Sequence, residues 1–377
     1  MAKLKIGLIG TGGRGTQHLK TIVGLTDKYD LVGVCDVDEA KVGAASDKFG
    51  APPFTSYEKM MDVAKPDVVT LTVSQRLFDE MQSAAADRGI HVATETPMAN
   101  TLPEADAMIR RAEEKGIKYE NFEQSWRWPR ERLKQRLLKS GVMGDMVQAR
   151  CFSWVAPYHA IGVLLKLVDA HVTTVVGYGR PLPTCPAPEG GRDRNWVLAG
   201  LEFENGVSGI FERKIRQPYI TGHDFTNCSV DCTRGHILHD AIYIAKDAIT
   251  PKQGGAFEEV RNVYHFPIQE EDTVINGRPV PSRCWIDTDP VIAWENPFPQ
   301  YAPEPAYEGR SSGDDIARIE EYLDWHRAVT ENVEPGYTVR EARHNIEVQI
   351  AAYESARQGS RKLTLPLTDP NLETSFW

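Results

Sequence analysis

The sequence predicts an α/β protein: an N-terminal doubly wound parallel sheet, followed by an α+β domain with an open, mainly antiparallel sheet. In the first 120 residues, short apolar runs alternate with segments of helical periodicity, which is typical of a parallel sheet covered by helices. From about Trp126, several strand-like segments follow one another without helices between them, which favours antiparallel pairing. Two amphipathic helices, at about 314–330 and 339–358, close the chain.

The N-terminal half contains predicted strands and helices in alternation. The strands are expected at 3–9, 31–34, 68–73, 91–94 and 118–119. The helices are expected from the glycines after residue 9 to about 25, and at 39–49, 78–88 and 102–115, and the segment 57–63 precedes the third strand. In the C-terminal half an amphipathic helix at 130–140 ends at Gly141. Strands are then expected at 147–154, 196–203, 207–214, 227–231 and 236–244.

Residues 264–310 form an unusual stretch that contains 8 of the 24 prolines. It also contains Trp285, Trp294, Phe298, Tyr301 and Tyr307. So many prolines exclude a central strand and predict an extended, ordered arm. Two interpretations stay open: a surface loop packed on its own domain, or an arm that reaches a neighbouring subunit or covers the active site.

Composition excludes several classes of protein. The chain of 377 residues has a net charge of −10, which argues against nucleic-acid binding because no excess of basic charge is available. No apolar run approaches the roughly 20 residues that span a bilayer, and the N-terminus lacks a signal-peptide cleavage site, so we expect a cytoplasmic protein. The six cysteines are not a disulfide framework, and without a convincing cluster of ligands we predict no metal.

A glycine-rich motif at residues 10–15 reads G-x-G-x-x-G between a predicted strand and a predicted helix, the context of a dinucleotide site. Gly10 allows a tight turn, Gly12 lets the backbone approach a pyrophosphate, and Gly15 permits close helix–strand packing. The free N–H groups of the helix then face the phosphates. The predicted cofactor residues here are Gly10, Gly12, Gly13, Arg14, Gly15 and Thr72.

Asp36 ends the second predicted strand, where a carboxylate can accept hydrogen bonds from the adenosine ribose. Val37 and Asp38 follow and provide no cation for a 2′-phosphate, so we predict NAD rather than NADP. The alternative is that Asp36 only caps the next helix. These motifs divide the chain into a dinucleotide-binding domain, 1–124, and a substrate-binding and oligomerisation domain, 125–377.

These features resemble the Gfo/Idh/MocA superfamily of glucose-fructose oxidoreductase, inositol dehydrogenase and their relatives. The resemblance covers nearly the whole chain and rests on the glycine motif, Asp36-Val37-Asp38, and the segments 65–69, 89–97, 140–145 and 342–359. It implies a Rossmann domain, and a second domain whose open sheet faces the nicotinamide and often forms a dimer or tetramer interface. We therefore expect a homo-oligomer.

The chain departs from the family pattern at two places. Family members usually carry Glu-Lys-Pro after the fourth strand, whereas here the triplet is Glu95-Thr96-Pro97, so Thr96 replaces a lysine that contacts substrate. Glu95 and Pro97 are expected beside the nicotinamide ribose. The resemblance also aligns His159 with the catalytic histidine of the family, but the two acids that often flank that histidine become Val155 and Gly162.

His159 is therefore the predicted acid/base, with Tyr158 and Thr96 orienting the substrate oxygen. The alternative is that Tyr158 and His159 cap a helix at 160–168. Substrate contacts are expected from Arg127, Trp128, Arg213, Tyr219 and His223; Arg127 is flanked by two tryptophans that could equally be packed in the core.

The predicted activity is hydride transfer between NAD and a hydroxyl-bearing carbon of a sugar, inositol or related polyol. One alternative is an NAD-dependent glycoside hydrolase, which acts on a glycoside by transient oxidation, elimination, hydration and re-reduction. Loss of the lysine and the acids is consistent with this second activity. A third possibility is an NAD-binding protein without catalysis.

Overall fold

The structure is a computed structural model that describes residues 3–153, 157–181, 195–213, 227–301, 304 and 313–368. Its contacts divide the chain into two compact units. The first unit comprises residues 1–124, 272–281 and 296–343, and the second comprises residues 125–271, 282–295 and 344–377.

A six-stranded parallel sheet forms the centre of the first unit, in the order β3-β2-β1-β4-β5-β6. The chain order reverses between β1 and β4, which is the switch point of a doubly wound sheet and confirms the predicted fold class. The strands are Leu4–Ile9 (β1), Tyr29–Cys35 (β2), Pro53–Phe54 (β3), Val68–Leu71 (β4), His91–Thr94 (β5) and Tyr119–Asn121 (β6). The helices between them are Gly13–Ile22 (α1), Glu39–Phe49 (α2), Tyr57–Ala64 (α3), Phe78–Ala86 (α4) and Leu102–Lys115 (α5).

Side-chain caps and left-handed residues determine where two of these helices begin and end. Asp38 accepts hydrogen bonds from the backbone N–H groups of Ala40 and Lys41, and Gly50 ends α2 at φ 72°. Thr101 caps α5 in the same way, and Gly116 ends it at φ 65°. Both helices have the bounds that the sequence predicts.

The second unit is built on a ten-stranded sheet, in the order β15-β16-β13-β12-β11-β7-β10-β9-β8-β21. Every neighbouring pair is antiparallel except β7 and β10, so the prediction of a mainly antiparallel sheet is confirmed. The strands are Met146–Ser153 (β7), Val172–Pro181 (β8), Asn195–Phe203 (β9), Ser208–Arg213 (β10), Asn227–Cys232 (β11), Gly235–Leu238 (β12), Ala241–Ala245 (β13), Glu258–Val260 (β15), Val263–Pro267 (β16) and Leu363–Thr364 (β21). Thr250–Pro251 (β14) pairs with Thr288–Asp289 (β19).

Helices lie against the second sheet. Pro157–Val168 (α7) contacts β7 and β11, Pro129–Lys139 (α6) packs against α7, and the larger part of Val339–Arg357 (α9) belongs to the same unit. The backbone N–H of Gly177 in β8 donates to Ser355 Oγ of α9 at 2.7 Å. A Cβ at position 177 would lie 2.1 Å from the carbonyl oxygen of Ala352, so glycine is needed for this close approach.

The proline-rich stretch differs from its prediction. Instead of an extended arm without a central strand, it contains β16 and a three-stranded sheet of Gln269–Ile275 (β17), Arg278–Ile286 (β18) and Ile292–Glu295 (β20), with β18 in the middle. Pro279 and Pro281 are tolerated there because β20 pairs only with the later residues of β18, from Arg283 to Ile286. Two other segments also differ: 236–244 is a hairpin of β12 and β13, and α7 begins at Pro157, so Tyr158 and His159 lie in its first turn.

The end of the same stretch packs on the first unit of its own chain. The Tyr301 hydroxyl donates to the carboxylate of Asp27, at 2.8 and 3.0 Å. Glu304 lies 3.4 Å from Lys20 and 3.5 Å from Lys48. At these two positions the segment packs on its own chain, against residues of the first unit rather than of the predicted domain 125–377.

The helix Gly313–Thr330 (α8) also belongs to the first unit. Its Tyr322 is fully buried, and the Tyr29 hydroxyl donates to the carbonyl oxygen of Tyr322 at 2.6 Å. The predicted assignment of all residues after 124 to the second domain therefore differs from the contacts, because a helix far along the chain returns to pack on α1. Among the helices described, none is long and apolar enough to cross a membrane.

Candidate cofactor site and predicted catalytic residues

The glycine turn between β1 and α1 is held by two close approaches. Gly10 has φ 98°, and a Cβ there would lie 2.7 Å from the carbonyl oxygen of Thr72. A Cβ on Gly15 would lie 1.8 Å from the carbonyl oxygen of Gly10, so no side chain can be accommodated. The Thr72 hydroxyl, just after β4, donates to that same Gly10 oxygen at 2.6 Å. Thr72 thus supports the turn.

Gly12 and Gly13 are exposed, and a Cβ added at either position would meet nothing within 4 Å. Gly12 is the N-cap of α1, and within the described part of the chain no side chain caps it. Open space therefore lies beside the first turn of α1, whose backbone N–H groups form the positive end of the helix dipole. This cradle fits the pyrophosphate of a dinucleotide.

Asp36 follows β2 and is half-buried. Its Oδ2 accepts hydrogen bonds from the backbone N–H and the hydroxyl of Thr11, at 2.8 and 3.2 Å, and its Oδ1 accepts from the N–H of Asp38 at 3.1 Å. The cap of α2 is Asp38 rather than Asp36. Oδ2 already accepts two hydrogen bonds, whereas Oδ1 accepts one and keeps acceptor capacity for a ribose hydroxyl.

Glu95, directly after β5, is the centre of a buried polar cluster. Its Oε1 lies 2.5 Å from Arg14 Nε and 2.5 Å from His18 Nε2, and both of these residues belong to α1. The other ring nitrogen of His18 lies 2.9 Å from the Tyr322 hydroxyl, and Phe122 stacks on the His18 ring with centroids 5.9 Å apart. We refer to Arg14, His18 and Glu95 as the Glu95 cluster.

The protonation states of the Glu95 cluster follow from burial and charge. Burial lowers the pKa of His18 to about 4, although Glu95 opposes this shift, so the imidazole is neutral near pH 7. Burial by itself would raise the pKa of Glu95, but the charge of Arg14 and the hydrogen bond from His18 together hold it well below its usual range. Neutral His18 therefore donates from Nε2 to Glu95 and accepts from the Tyr322 hydroxyl at Nδ1.

The guanidinium of Arg14 is held from several sides. Its Nη1 donates to Gln17 Oε1 at 2.9 Å and lies 3.7 Å from Asp314 Oδ2. Asp314 is also paired with Arg318, which is fully buried. The remaining nitrogen, Nη2, is buried and has no hydrogen-bond partner in the ranges that the structure describes.

Thr96 and Pro97 follow Glu95 and are half-buried. The backbone N–H of Thr96 donates to Glu95 Oε2 at 3.1 Å. The threonine brings no charge to the triplet; the positive charge beside Glu95 comes from Arg14.

Tyr158 and His159 lie in the second unit, on the first turn of α7, and both are half-buried. Their ring centroids are 4.4 Å apart. The Asn345 side chain donates to the carbonyl oxygen of Tyr158 at 2.8 Å, which anchors this turn to α9. Their role in catalysis stays a prediction.

The predicted substrate residues have varied surroundings. Arg127 is buried, with its guanidinium 4.4 Å from the ring centroid of Trp126, an arrangement consistent with the packed alternative. Trp128 is half-buried, and Arg213 Nη1 donates to the Tyr353 hydroxyl at 2.5 Å. Tyr219 and His223, like Val155, lie outside the described residues.

Residues 4–121 match a family model described as "Oxidoreductase family, NAD-binding Rossmann fold", that of Gfo/Idh/MocA proteins. Over these residues the predicted resemblance to the Gfo/Idh/MocA family is confirmed. Two curated relatives are D-xylose 1-dehydrogenase (NADP(+)) 2 of Haloferax volcanii, 29% identical over 30% of this chain and 35% of that protein, and glycosyl hydrolase family 109 protein 1 of Akkermansia muciniphila, 27% identical over 38% of this chain and 32% of that protein. The chain thus matches about a third of the length of these relatives.

A likeness of fold covers nearly the whole chain. The WlbA dehydrogenase from Bordetella pertussis, solved with NADH and UDP-GlcNAcA, superposes with a TM-score of 0.69 over 97% of this chain and 99% of that protein, at 18% identity. At this identity the likeness establishes the fold alone.

The sequence interpretation missed His18, Asp314 and Tyr322. His18 had a local signal, because it lies four residues after Arg14 on the buried face of α1, together with Leu19 and Ile22. Tyr322 and Asp314 had none, since they reach the cluster from about three hundred residues further along the chain.

Proposed function

We propose that this protein is an NAD-dependent oxidoreductase that transfers a hydride between nicotinamide and a hydroxyl-bearing carbon of a sugar, inositol or related polyol. The observation that carries the proposal is the open N-terminus of α1 at Gly12, at the switch point of a doubly wound sheet. Asp36 lies at the end of β2 on one side of this turn, and the Glu95 cluster lies at the end of β5 on the other.

When bound, NAD would accept or return the hydride. In this proposal the N–H groups of the first turn of α1 hold the pyrophosphate, and Asp36 accepts hydrogen bonds from the hydroxyls of the adenosine ribose. NAD is preferred because Val37 and Asp38 offer no cation, and Lys41, in the first turn of α2, forms an ion pair with Asp38 at 3.3 Å. Pro97 and Glu95 border the nicotinamide half.

The proton of the substrate hydroxyl must leave with the hydride or return with it. We assign this transfer to His159, because histidine is the side chain that most often transfers protons in general acid–base catalysis. Tyr158 and Thr96 would orient the oxygen through their hydroxyls, and Arg127, Trp128, Arg213, Tyr219 and His223 are the proposed substrate contacts.

A second candidate function is NAD-dependent glycoside hydrolysis. Two observations favour it: the uncharged Thr96 of the triplet, and the glycosyl hydrolase family 109 relative. In this reaction a ring hydroxyl is oxidised, the neighbouring C–H loses its proton, the aglycone leaves by elimination, water adds, and the hydride returns to the ring. The net change is hydrolysis, and NAD is regenerated.

A panel of free sugars, polyols and chromogenic glycosides, each incubated with the protein and NAD, separates these functions. Accumulation of NADH with a free sugar or polyol supports the dehydrogenase. Release of aglycone without net NADH supports the hydrolase instead. Binding of NAD with neither product across the panel would contradict both and leave an NAD-binding protein without catalysis.

The proposal includes a homo-oligomer in the cytoplasm, in which residues 1–124 bind the dinucleotide and residues within 125–377 supply the substrate contacts and the subunit interface. Light scattering coupled to size-exclusion chromatography tests the oligomer. A mass equal to that of one 42.2 kDa chain would contradict it.

A further inference from the structure

The ion pair between Arg14 and Glu95 joins two strand ends that are not neighbours in the sheet. Arg14 lies in the first turn of α1, just after β1, whereas Glu95 follows β5, and β4 lies between these two strands. The Arg14 side chain therefore passes over the carboxyl end of β4 to reach Glu95 Oε1 at 2.5 Å. That edge is where a doubly wound sheet binds its dinucleotide.

Several contacts restrict both members of the pair. Glu95 is bonded to His18 as well as to Arg14, and it accepts the N–H of Thr96, so three donors fix its carboxylate. Arg14 is held in addition by Gln17 and Asp314. Since His18 is itself wedged between Phe122 and Tyr322, the pair has little freedom to rearrange.

The two halves of the site recognise different parts of the ligand. In this topology the carboxyl ends of β1 to β3 bind the adenosine half of the dinucleotide, and the carboxyl ends of β4 to β6 bind the second nucleotide half. The pyrophosphate lies at the α1 turn that carries Arg14. A link from that turn to Glu95 therefore sets the distance between the pyrophosphate subsite and the subsite of the second nucleotide.

We propose that Arg14 and Glu95 are positioning residues whose buried ion pair fixes the α1 turn to the end of β5 and so aligns the nicotinamide half of the dinucleotide. This inference rests on the proposed function, because it requires that the protein bind NAD. It assigns the pair no proton transfer and no contact with the substrate. Because the pair aligns one half of the ligand, loss of the pair weakens the binding of NADH. It leaves the binding of a ligand that carries only the other half nearly unchanged.

The test compares NADH with ADP, which carries the adenosine and both phosphates but lacks the second ribose and nicotinamide. Glu95→Gln removes the charge at nearly the same shape, and Arg14→Lys keeps the charge but loses the planar fork. We expect each variant to lower NADH affinity about 10-fold or more while ADP affinity changes less than about 3-fold, with dissociation constants taken from isothermal titration. The double variant should bind NADH no more weakly than whichever single variant binds it more weakly, because both substitutions remove the same interaction.

The matched control is Arg111→Met. Arg111 also bonds a carboxylate and an amide, Asp79 at 2.8 Å and Gln82 at 2.7 Å, but it joins α4 and α5. Its loss should leave the ratio of NADH to ADP affinity unchanged.

Two results would overturn the inference: equal losses of NADH and ADP affinity that follow a lower melting temperature, or wild-type affinity for both ligands in both variants. Should Glu95→Gln fail to fold, Arg14→Lys alone decides between these results. A wild-type protein that binds neither NADH nor ADP would instead contradict the proposed function itself, so the two failures are distinguishable.

Discussion

The carboxylate of Asp36 accepts a hydrogen bond from the backbone N–H of Thr11 at 2.8 Å and thereby ties the end of β2 to the glycine turn. Asp36 thus supports the turn and remains available to a ribose hydroxyl. Asp38, two residues later, caps α2 and does not contact the turn through its side chain in the described contacts. The two aspartates therefore have separable tasks.

Replacing these two aspartates should separate binding from stability. We expect Asp36→Ala to weaken NADH by about 10- to 100-fold, since charge-assisted hydrogen bonds contribute about 1.5–3 kcal/mol. Asp38→Ala should instead lower the free energy of unfolding by about 1 kcal/mol, the usual cost of a lost cap, and leave NADH affinity near wild type. Isothermal titration measures NADH affinity, and urea denaturation measures the free energy of unfolding. An equal loss of NADH affinity in both variants would contradict a contact between Asp36 and the ribose.

The glycines at 12 and 15 should respond to alanine in opposite ways. Gly15→Ala places a methyl group against the Gly10 carbonyl, so we expect a loss of about 3 kcal/mol or more in the free energy of unfolding. Gly12→Ala adds a methyl group in open space, and Gly12 has an extended backbone that alanine can adopt (φ −63°, ψ −169°). That variant should fold normally and bind NADH at least about 10-fold more weakly. Retained NADH affinity in Gly12→Ala would contradict a pyrophosphate at this turn.

The neutral, buried His18 predicts a specific dependence of stability on pH. Its pKa is lowered from 6.5 to about 4 by burial, so between these values the unfolded chain binds the proton more readily than the folded protein. The contribution of neutral His18 to the free energy of unfolding is complete above pH 6.5. It decreases as the pH falls toward 4, by about 3 kcal/mol in total.

His18→Gln removes the titrating group and should flatten the curve of unfolding free energy against pH between 6.5 and 4. Urea denaturation at half-unit intervals of pH measures it, with the wild-type protein as the reference. Curves of equal slope for both proteins would show that His18 is not buried in its neutral form.

Replacing His159 tests the proposed acid/base. His159→Ala should lower kcat by about 10² to 10⁴, the usual contribution of a positioned proton-transfer group, while NADH affinity stays within about 2-fold of wild type. Tyr158→Phe removes only a hydroxyl and should lower kcat less. Steady-state kinetics on the substrate found in the panel gives both numbers, and undiminished turnover in His159→Ala would contradict the assignment.

Local signals predicted much of the first unit. The bounds of α2 and α5 follow from Asp38, Gly50, Thr101 and Gly116, because caps and left-handed glycines act over a few residues. The glycine turn was found for the same reason. β3 was missed because it has two residues, one of them a proline.

Contacts between distant parts of the chain could not be found in this way. His18 contacts Tyr322, which lies 304 positions further along the sequence, and no periodicity or motif links the two residues. The strand β18 was obscured by Pro279 and Pro281, because the effect of a proline depends on which neighbour each residue of the strand pairs with. The predicted substrate residues depend on such long-range contacts and remain the least constrained part of the site.

The central claim is that the turn at Gly12, with Asp36 beside it, binds NAD. Two separate titrations of the wild-type protein, one with NADH and one with NADPH, test it most directly. Isothermal titration calorimetry measures the binding in both. We predict saturable binding of one NADH per chain and at least about 10-fold weaker binding of NADPH, because its 2′-phosphate would meet the carboxylates of Asp36 and Asp38. Absence of NADH binding, or tighter binding of NADPH, would contradict the claim.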